Sequence, residues 1–255
     1  MKKLLTTYRE SIIPVAEEET INVELPASPI INITKGEFVV KTPDTQASTI
    51  IREGDYWHFP AGGEYTSNST TGKTYTNYLK YNTVPNSVAD FAFSCNIKLL
   101  SDDTQSSQYG LWRMGSSATA TCYITRGSKS GAICYGYLST GVIYFARPLE
   151  YDKWYTVSVF SKLSNNIKCI LSDGTTDTAT EIDKFSTGIR SSGYFQIGSC
   201  STRYSSGSTT TFYLDSTNML LQNFILYDCY YSRPDFTEDD LNNLHLWNKL
   251  QLPRM

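Results

Sequence analysis

Between Gly193 and Leu244 the chain reads GYFQIGSCSTRY, then a Ser/Thr-rich stretch, then NMLLQNFILYDCYYSRPDFTEDDLNNL. This order of apolar and polar positions predicts a short strand, a polar loop, a long alternating strand and a capped helix. Upstream, DFAFSCNIKLL sets Phe91, Phe93, Cys95, Ile97 and Leu99 at every second position, the period of a half-buried strand. YGLWRMG, ATCYITRG, AICYGYL and GVIYFARPL follow as a meander. KWYTVSVFSK and NNIKCILSDG read as a hairpin pair, with a turn at Asp173-Gly174. GDYWHFPAGGEYT supplies a strand ending at Pro60 and a Gly62-Gly63 turn. Strand signals punctuated in this way predict an all-β sandwich from residue 51 onward.

One helix is expected, beginning near Thr237. The Thr237 hydroxyl is placed to cap the backbone N–H of Asp240, and Glu238, Asp239 and Asp240 suit the positive end of a helix. Phe236 and Leu241 occupy the positions of a hydrophobic staple. Leu241, Leu244 and Trp247 fall on one face, so the helix is expected to seal an edge or end of the sandwich.

Residues 1–50 are written differently. They hold the acidic run Glu17–Glu19 and the prolines Pro14, Pro26, Pro29 and Pro43, among short β-like pieces such as INVEL and GEFVVK. Prolines at this density exclude long helices and central strands. Two readings stand side by side: an extended N-terminal arm for assembly or anchoring, or the first edge strands of the sandwich itself.

Composition narrows the function. The chain is 40% hydrophobic and 13% aromatic, enough for a packed core. Only 18% of residues are charged, against ~25% in an average globular protein. A net charge of -3 excludes a nucleic-acid platform, which needs a dense basic face. The opening MKKLL imitates a signal peptide, but TTYRES follows where ~7–15 apolar residues would be needed. No segment is long enough to span a bilayer. The chain is therefore expected to be unprocessed and not membrane-inserted.

Cys95, Cys169 and Cys229 sit inside apolar strand patterns, where a thiol behaves as a small hydrophobe. With Cys122, Cys134 and Cys200 they make six, expected to be reduced and not paired as three disulfides. No Cys-x-x-Cys pair is present, and His58 and His245 alone offer little to zinc.

Taken in order, GDYWHFP, DFAFSCNIKL, PLEYDKWYTVSVF, CILSDG and LLQNFILYDCYYSRPDFTEDDLNNL resemble the strands and closing helix of the laminin-G-like, pentraxin-like group of the concanavalin A-like lectin/glucanase superfamily. The resemblance covers residues 52–246. It implies a two-sheet antiparallel jelly roll that binds glycans or proteins through its rim loops. It also implies calcium at that rim, held by Asp or Asn and backbone carbonyls. Asp173 and Asp215 are the carboxylates nearest to matching loops, with turn formation as the alternative role for both. No cofactor is required.

The same superfamily holds glycoside hydrolases with a Glu-x-Asp-x-x-Glu strand. Glu181-Ile-Asp183 begins that pattern, but residue 186 is Ser. Retaining hydrolysis needs two carboxyls ~5–5.5 Å apart, so the chain is expected not to be an enzyme. Neither a Gly-x-Ser-x-Gly elbow nor a phosphate-cradling loop is present.

Two loops carry the candidate binding residues. Residues 64–82 hold Tyr65, Tyr75 and Tyr78 among hydroxyls and amides, and residues 200–218 hold Arg203 and Tyr204. Tyrosine offers a rigid apolar face for a sugar ring together with a hydroxyl. These features lead to an expected structural and adhesive protein of a viral particle, such as a phage head fibre, decoration or tail-associated protein. Its partners would be other virion proteins through the N-terminal arm, a surface glycan or receptor, and further copies of itself. An extracellular bacterial carbohydrate-binding module is the alternative.

Overall fold

The computed structural model describes residues 23–34, 37–38, 43–46, 49–60, 66–68, 72–74, 78–82, 90–101, 109–114, 122–126, 132–137, 141–162, 167–182, 195–198, 215–216 and 218–253. The first strands are short: β1 Ile31–Thr34, β2 Glu37–Phe38, β3 Thr45–Gln46, β4 Ile51–Glu53 and β5 Tyr56–Phe59. β6 Thr66–Asn68, β7 Gly72–Thr74 and β8 Tyr78–Tyr81 lead into the long β9 Phe91–Leu99. The meander is β10 Tyr109–Met114, β11 Cys122–Arg126, β12 Ala132–Tyr137 and β13 Gly141–Pro148. β14 Trp154–Ser161, β15 Ile167–Ser172 and β16 Asp177–Ile182 follow. Then come β17 Phe195–Gly198, β18 Asp215–Ser216, β19 Met219–Asp228 and the helix α1 Glu238–Leu250.

These strands form two principal sheets. The nine-stranded sheet runs β16-β15-β14-β9-β19-β1-β2, with β5 also on β19 and β4 on β5. The eight-stranded sheet runs β13-β12-β11-β10-β17-β8-β3, with β18 beside β10. The ladders are antiparallel apart from the β10–β18 contact, and β6 and β7 pair as a separate hairpin. The all-β, two-sheet jelly-roll-like architecture with one C-terminal helix is the one expected from the pattern.

Aromatic side chains join the two sheets. Trp112 of β10 lies 4.9 Å from Phe93 and 5.7 Å from Phe91 of β9, ring centre to ring centre, and 5.4 Å from Phe195 of β17. Phe224 of β19 closes the group against Phe93 at 5.7 Å and Phe195 at 5.5 Å. Tilted and edge-on contacts of this kind add to the stabilisation from burial itself.

Two expectations need correction. The alternation in DFAFSCNIKLL predicted a strand with one wet face, yet Ala92, Ser94 and Asn96 are buried along with Phe91, Phe93 and Cys95. The reason is α1, which packs on β14 and β9 and so covers the outer face of the nine-stranded sheet. The helix therefore lies over a sheet face instead of sealing an edge. A second apolar cluster sits beneath it: Phe160, Ile170, Ile225, Tyr227, Phe236, Leu241 and Leu244, with Trp247 packed against it.

The helix start follows its sequence. Thr237 Oγ1 accepts from Asp240 N at 3.2 Å while Asp240 Oδ2 accepts from Thr237 N at 2.8 Å, a reciprocal capping box. Ion pairs tie both ends of α1 to outer strands, Glu238 to Lys168 of β15 and Lys249 to Asp177 of β16.

Part of the 1–50 segment is built into the sandwich. Ile31 and Ile33 of β1 are fully buried, and β1 pairs with β19 on one side and β2 on the other. Just before it, Pro26 O accepts from Tyr227 Oη at 2.6 Å and Ala27 O from Arg233 Nη1 at 2.8 Å. Residues 23–25, the end of INVEL, are not a strand. Cys95, Cys169 and Cys229 are buried free thiols, and burial pushes the Cys169 thiol up to about 12. Cys200 lies outside the described residues.

Candidate recognition surface

The register of the eight-stranded sheet places one of the candidate tyrosines. β17 pairs with β8 so that Gly198 stands opposite Tyr78. Tyr78 is half-buried at the first position of β8, and Gly198 is the last residue of β17. Tyr65, Tyr75, Arg203 and Tyr204 themselves lie outside the described residues.

The two candidate metal ligands are on different sheets. Asp215 lies in β18, paired with Tyr109 of β10. Asp173 lies between β15 and β16, where its Oδ1 accepts from Thr175 N at 3.0 Å, Thr175 Oγ1 at 2.7 Å and Thr176 N at 2.9 Å. Its Oδ2 faces the Lys153 ammonium at 3.4 Å. This set does not fit a calcium ion: one oxygen organises a turn and a lysine stands where a cation would have to approach. Among the described residues no three His, Cys, Asp or Glu side chains gather as a metal-holding group.

The Asp173 turn forms one wall of an open cleft of about 370 Å³. Lys153, Trp154, Thr175, Lys249 and Leu252 line it as well, so the C-terminal end of α1 forms the opposite wall. Lys249 is engaged by Asp177 at 2.7 and 2.9 Å.

A surface that the pattern reading missed lies between β19 and α1. Tyr230 and Tyr231 are 38% and 63% exposed, with their rings in edge contact at 4.6 Å. Their backbone is fixed from below. Asp228 Oδ1 accepts from Tyr230 N at 2.9 Å and Tyr231 N at 3.4 Å, and Asp228 O accepts from Arg233 N at 2.8 Å. A paired aromatic surface held in place before binding loses little entropy when a ligand stacks on it. The signal was present as two adjacent aromatics between a strand and an Arg-Pro-Asp turn.

The carboxylates of the hydrolase-like pattern are not gathered into a site. Glu181 is exposed on β16, the edge strand, opposite Lys168 of β15, and Asp183 lies outside the described residues. A different trio does come together. Ser158 Oγ is 2.9 Å from His245 Nδ1, and His245 Nε2 is 3.9 Å from Asp177 Oδ1. Ser158 is fully buried beneath α1, so no substrate reaches its hydroxyl and the trio is not a nucleophilic site. His245 and Asn248 are polar and so do not stand out on a buried helix face, although Leu241, Leu244, His245 and Asn248 follow the i, i+3, i+4, i+7 spacing.

No family model matches the chain, and no curated protein matches it in sequence. Solved structures do match in fold. A botulinum neurotoxin type G receptor-binding domain superposes with a TM-score of 0.55 at 9% identity, over 88% of this chain and 52% of that one. A type C structure, of a toxin whose passage into cells depends on interaction with two ganglioside molecules, gives 0.52 at 13% identity over 87% and 51%. The D/C binding domain solved with rat synaptotagmin II gives 0.52 at 11% identity over 88% and 52%. The chain thus spans about half the length of these structures, and the likeness establishes a shared β-sandwich fold.

Proposed function

We propose that this chain is a non-catalytic recognition protein of the lectin-like sandwich class, binding a surface glycan or a protein receptor. The observation that carries this reading is the backbone likeness to receptor-binding domains over nearly nine-tenths of the chain. Tyr78, the sequence candidates Tyr65, Tyr75, Arg203 and Tyr204, and the exposed Tyr230–Tyr231 pair are the contact residues of this reading. The tyrosines among them offer aromatic faces and neutral hydroxyls, which suit an uncharged sugar ring.

Within that reading, the protein is an adhesive component of a viral particle, joined to its structural partners through the segment ahead of β1 and present in several copies. Support for this placement comes from a proline-containing segment before a lectin-like domain and from a Ser/Thr/Tyr-rich, weakly charged β chain.

Two measurements test the proposal. Labelled protein should bind cells or an immobilised glycan panel saturably, and binding to none of them overturns the recognition reading. Mass spectrometry of purified particles should find the chain at a fixed ratio to the major structural protein. If the chain is found only outside particles, an extracellular bacterial carbohydrate-binding module replaces the virion placement.

A further inference from the structure

A chain of hydrogen bonds runs beneath α1, and its direction is fixed at one end. Asn248 Nδ2 donates to Ser94 Oγ at 2.7 Å and to the Asn223 carbonyl at 3.3 Å. The carbonyl only accepts, so the amide orientation is set and Ser94 receives a proton from Asn248. Ser94 Oγ lies 2.7 Å from Ser158 Oγ, and Ser158 Oγ lies 2.9 Å from His245 Nδ1. The order that pairs both serine protons within the chain has Ser94 donating to Ser158 and Ser158 donating to His245. In that order Nδ1 is bare and the neutral imidazole carries its proton on Nε2, a buried atom without a hydrogen-bond partner that faces Asp177 at 3.9 Å.

Proton uptake at Nδ1 breaks this order. The imidazolium would donate to Ser158, Ser158 would turn its hydroxyl toward Ser94, and Ser94 would receive protons from both sides with its own left unpaired. Ser94 and Ser158 are both fully buried, so water cannot rescue that proton. Asn248 Oδ1 is buried without a partner, but it can accept from Ser94 only if the amide flips and gives up Asn223.

The surrounding charges do not reverse the balance. Asp177 of β16 is 3.9 Å from His245 Nε2, beyond hydrogen-bond length, and its carboxylate is already held by Lys249 of α1. β14 and β9 face the ring with Ser158 and Ser94, next to Thr156 and Asn96. Further along this face are Lys98 of β9 and Lys168 of β15, the latter paired with Glu238. Burial, opposed by Asp177 and aided by Lys249, holds His245 down at about 4.

We infer that α1 is an acid-released latch: the Asn248–Ser94–Ser158–His245 chain holds the helix on the sheet only while His245 is neutral, and proton uptake frees it. Release uncovers Phe160, Ile170, Ile225 and Tyr227, an apolar patch that neutral pH keeps closed.

The full chain with ¹⁵N-labelled histidine tests this directly. At pH 7 the ring nitrogens of His245 should show the Nε2–H tautomer, and an Nδ1–H tautomer overturns the inference. In hydrogen exchange corrected for intrinsic rates, the α1 amides should open at least tenfold more readily at pH 4.5 than at pH 7, and should stay more open than those of β9 and β14. In H245Q this local acceleration should vanish. A single opening free energy shared by helix and sheet at pH 4.5, or the same helix acceleration in H245Q, overturns the latch. N248D supplies a second variant, because a carboxylate accepts from Ser94 and lets the chain run the other way. It should shift His245 to the Nδ1–H form and keep α1 protected at pH 4.5, and a wild-type tautomer in N248D also counts against the mechanism.

Discussion

Asn248, in the last turn of α1, donates from Nδ2 to the carbonyl oxygen of Asn223, the residue at which β19 bulges with φ of 53°. The ladder between β19 and β9 slips register between Gln222 and Ile225, so the Asn223 carbonyl is turned toward the helix. Asn223 Nδ2 in turn reaches Gln251 Oε1 at 3.3 Å. The bulge and the helix end therefore specify each other. Asn248→Ala would take away the amide that donates to both Ser94 and the Asn223 carbonyl in a buried site, and each lost buried hydrogen bond costs ~1–3 kcal/mol. A loss of ~2–4 kcal/mol in urea unfolding, with an unchanged m-value, is the expected outcome.

Acid should destabilise the whole fold as well as the helix. The unfolded chain protonates His245 near its ordinary ~6.5, whereas the folded chain resists until about 4. The unfolded state thus binds more protons between these values. The stability due to neutral His245 is full above ~6.5, falls as pH drops through that value, and levels off below about 4. Asp177 adds in the same direction. Its partial burial alone would raise it, but hydrogen bonds from Lys249 and Ser172 and the Lys249 charge hold it below the usual range. The stabilisation it carries is present above its ordinary value and lost as pH falls through the folded one. Unfolding free energy at pH 4.5 should be lower than at pH 7.5 by ~2–3 kcal/mol from His245. H245Q should flatten most of that slope.

Truncation separates the two readings of residues 1–50. Removing residues 1–22 leaves β1, the Tyr227–Pro26 bond and the Arg233–Ala27 bond in place, so cooperative unfolding should persist with little change in midpoint. Removing residues 1–50 also strips Ile31, Ile33 and Ile50 from the core. Loss of a buried isoleucine side chain typically costs ~2–5 kcal/mol, so the longer truncation should not fold stably. Calorimetry of the two truncations decides it, and a stable 51–255 fragment would restore the view of the whole segment as a detachable arm.

Much of the sandwich was legible because period-2 patterns such as Phe91–Leu99 and the capping box at Thr237–Asp240 are local signals. The placement of α1 was not legible. Its docking depends on Ser94, Ser158 and Asn96, polar residues that single-strand periodicity assigns to the wet face until a helix from elsewhere covers them. β1 was obscured for a related reason: Ile31 and Ile33 lie between prolines, and only pairing with β19, nearly two hundred residues away, makes them core. The candidate surface was half legible. Tyrosine-rich loops stood out, but the register that sets Tyr78 against Gly198 is a long-range pairing.

Recognition without catalysis makes a paired prediction. Tyr230 and Tyr231 are exposed surface residues in ring contact with each other, so changing both to Ala should alter stability by no more than ~0.5 kcal/mol, as for other surface sites. Stacking geometry would nevertheless be lost, and attachment to a glycan or cell surface should weaken about tenfold or more if this pair carries contact, since ~1.4 kcal/mol of lost interaction is tenfold. Tyr75→Ala with Tyr78→Ala, and Arg203→Ala with Tyr204→Ala, apply the same test to the rim loops. The carboxylates should behave in the opposite way. Glu181 is exposed on an edge strand and residue 186 is Ser, so no second carboxyl completes an acid and nucleophile pair along this strand. Glu181→Gln and Asp183→Asn should leave binding and stability near wild type. Incubation with polysaccharide should release no reducing sugar. Release by the wild type that either carboxylate substitution abolishes would show that the sandwich acts on its glycan instead of only holding it.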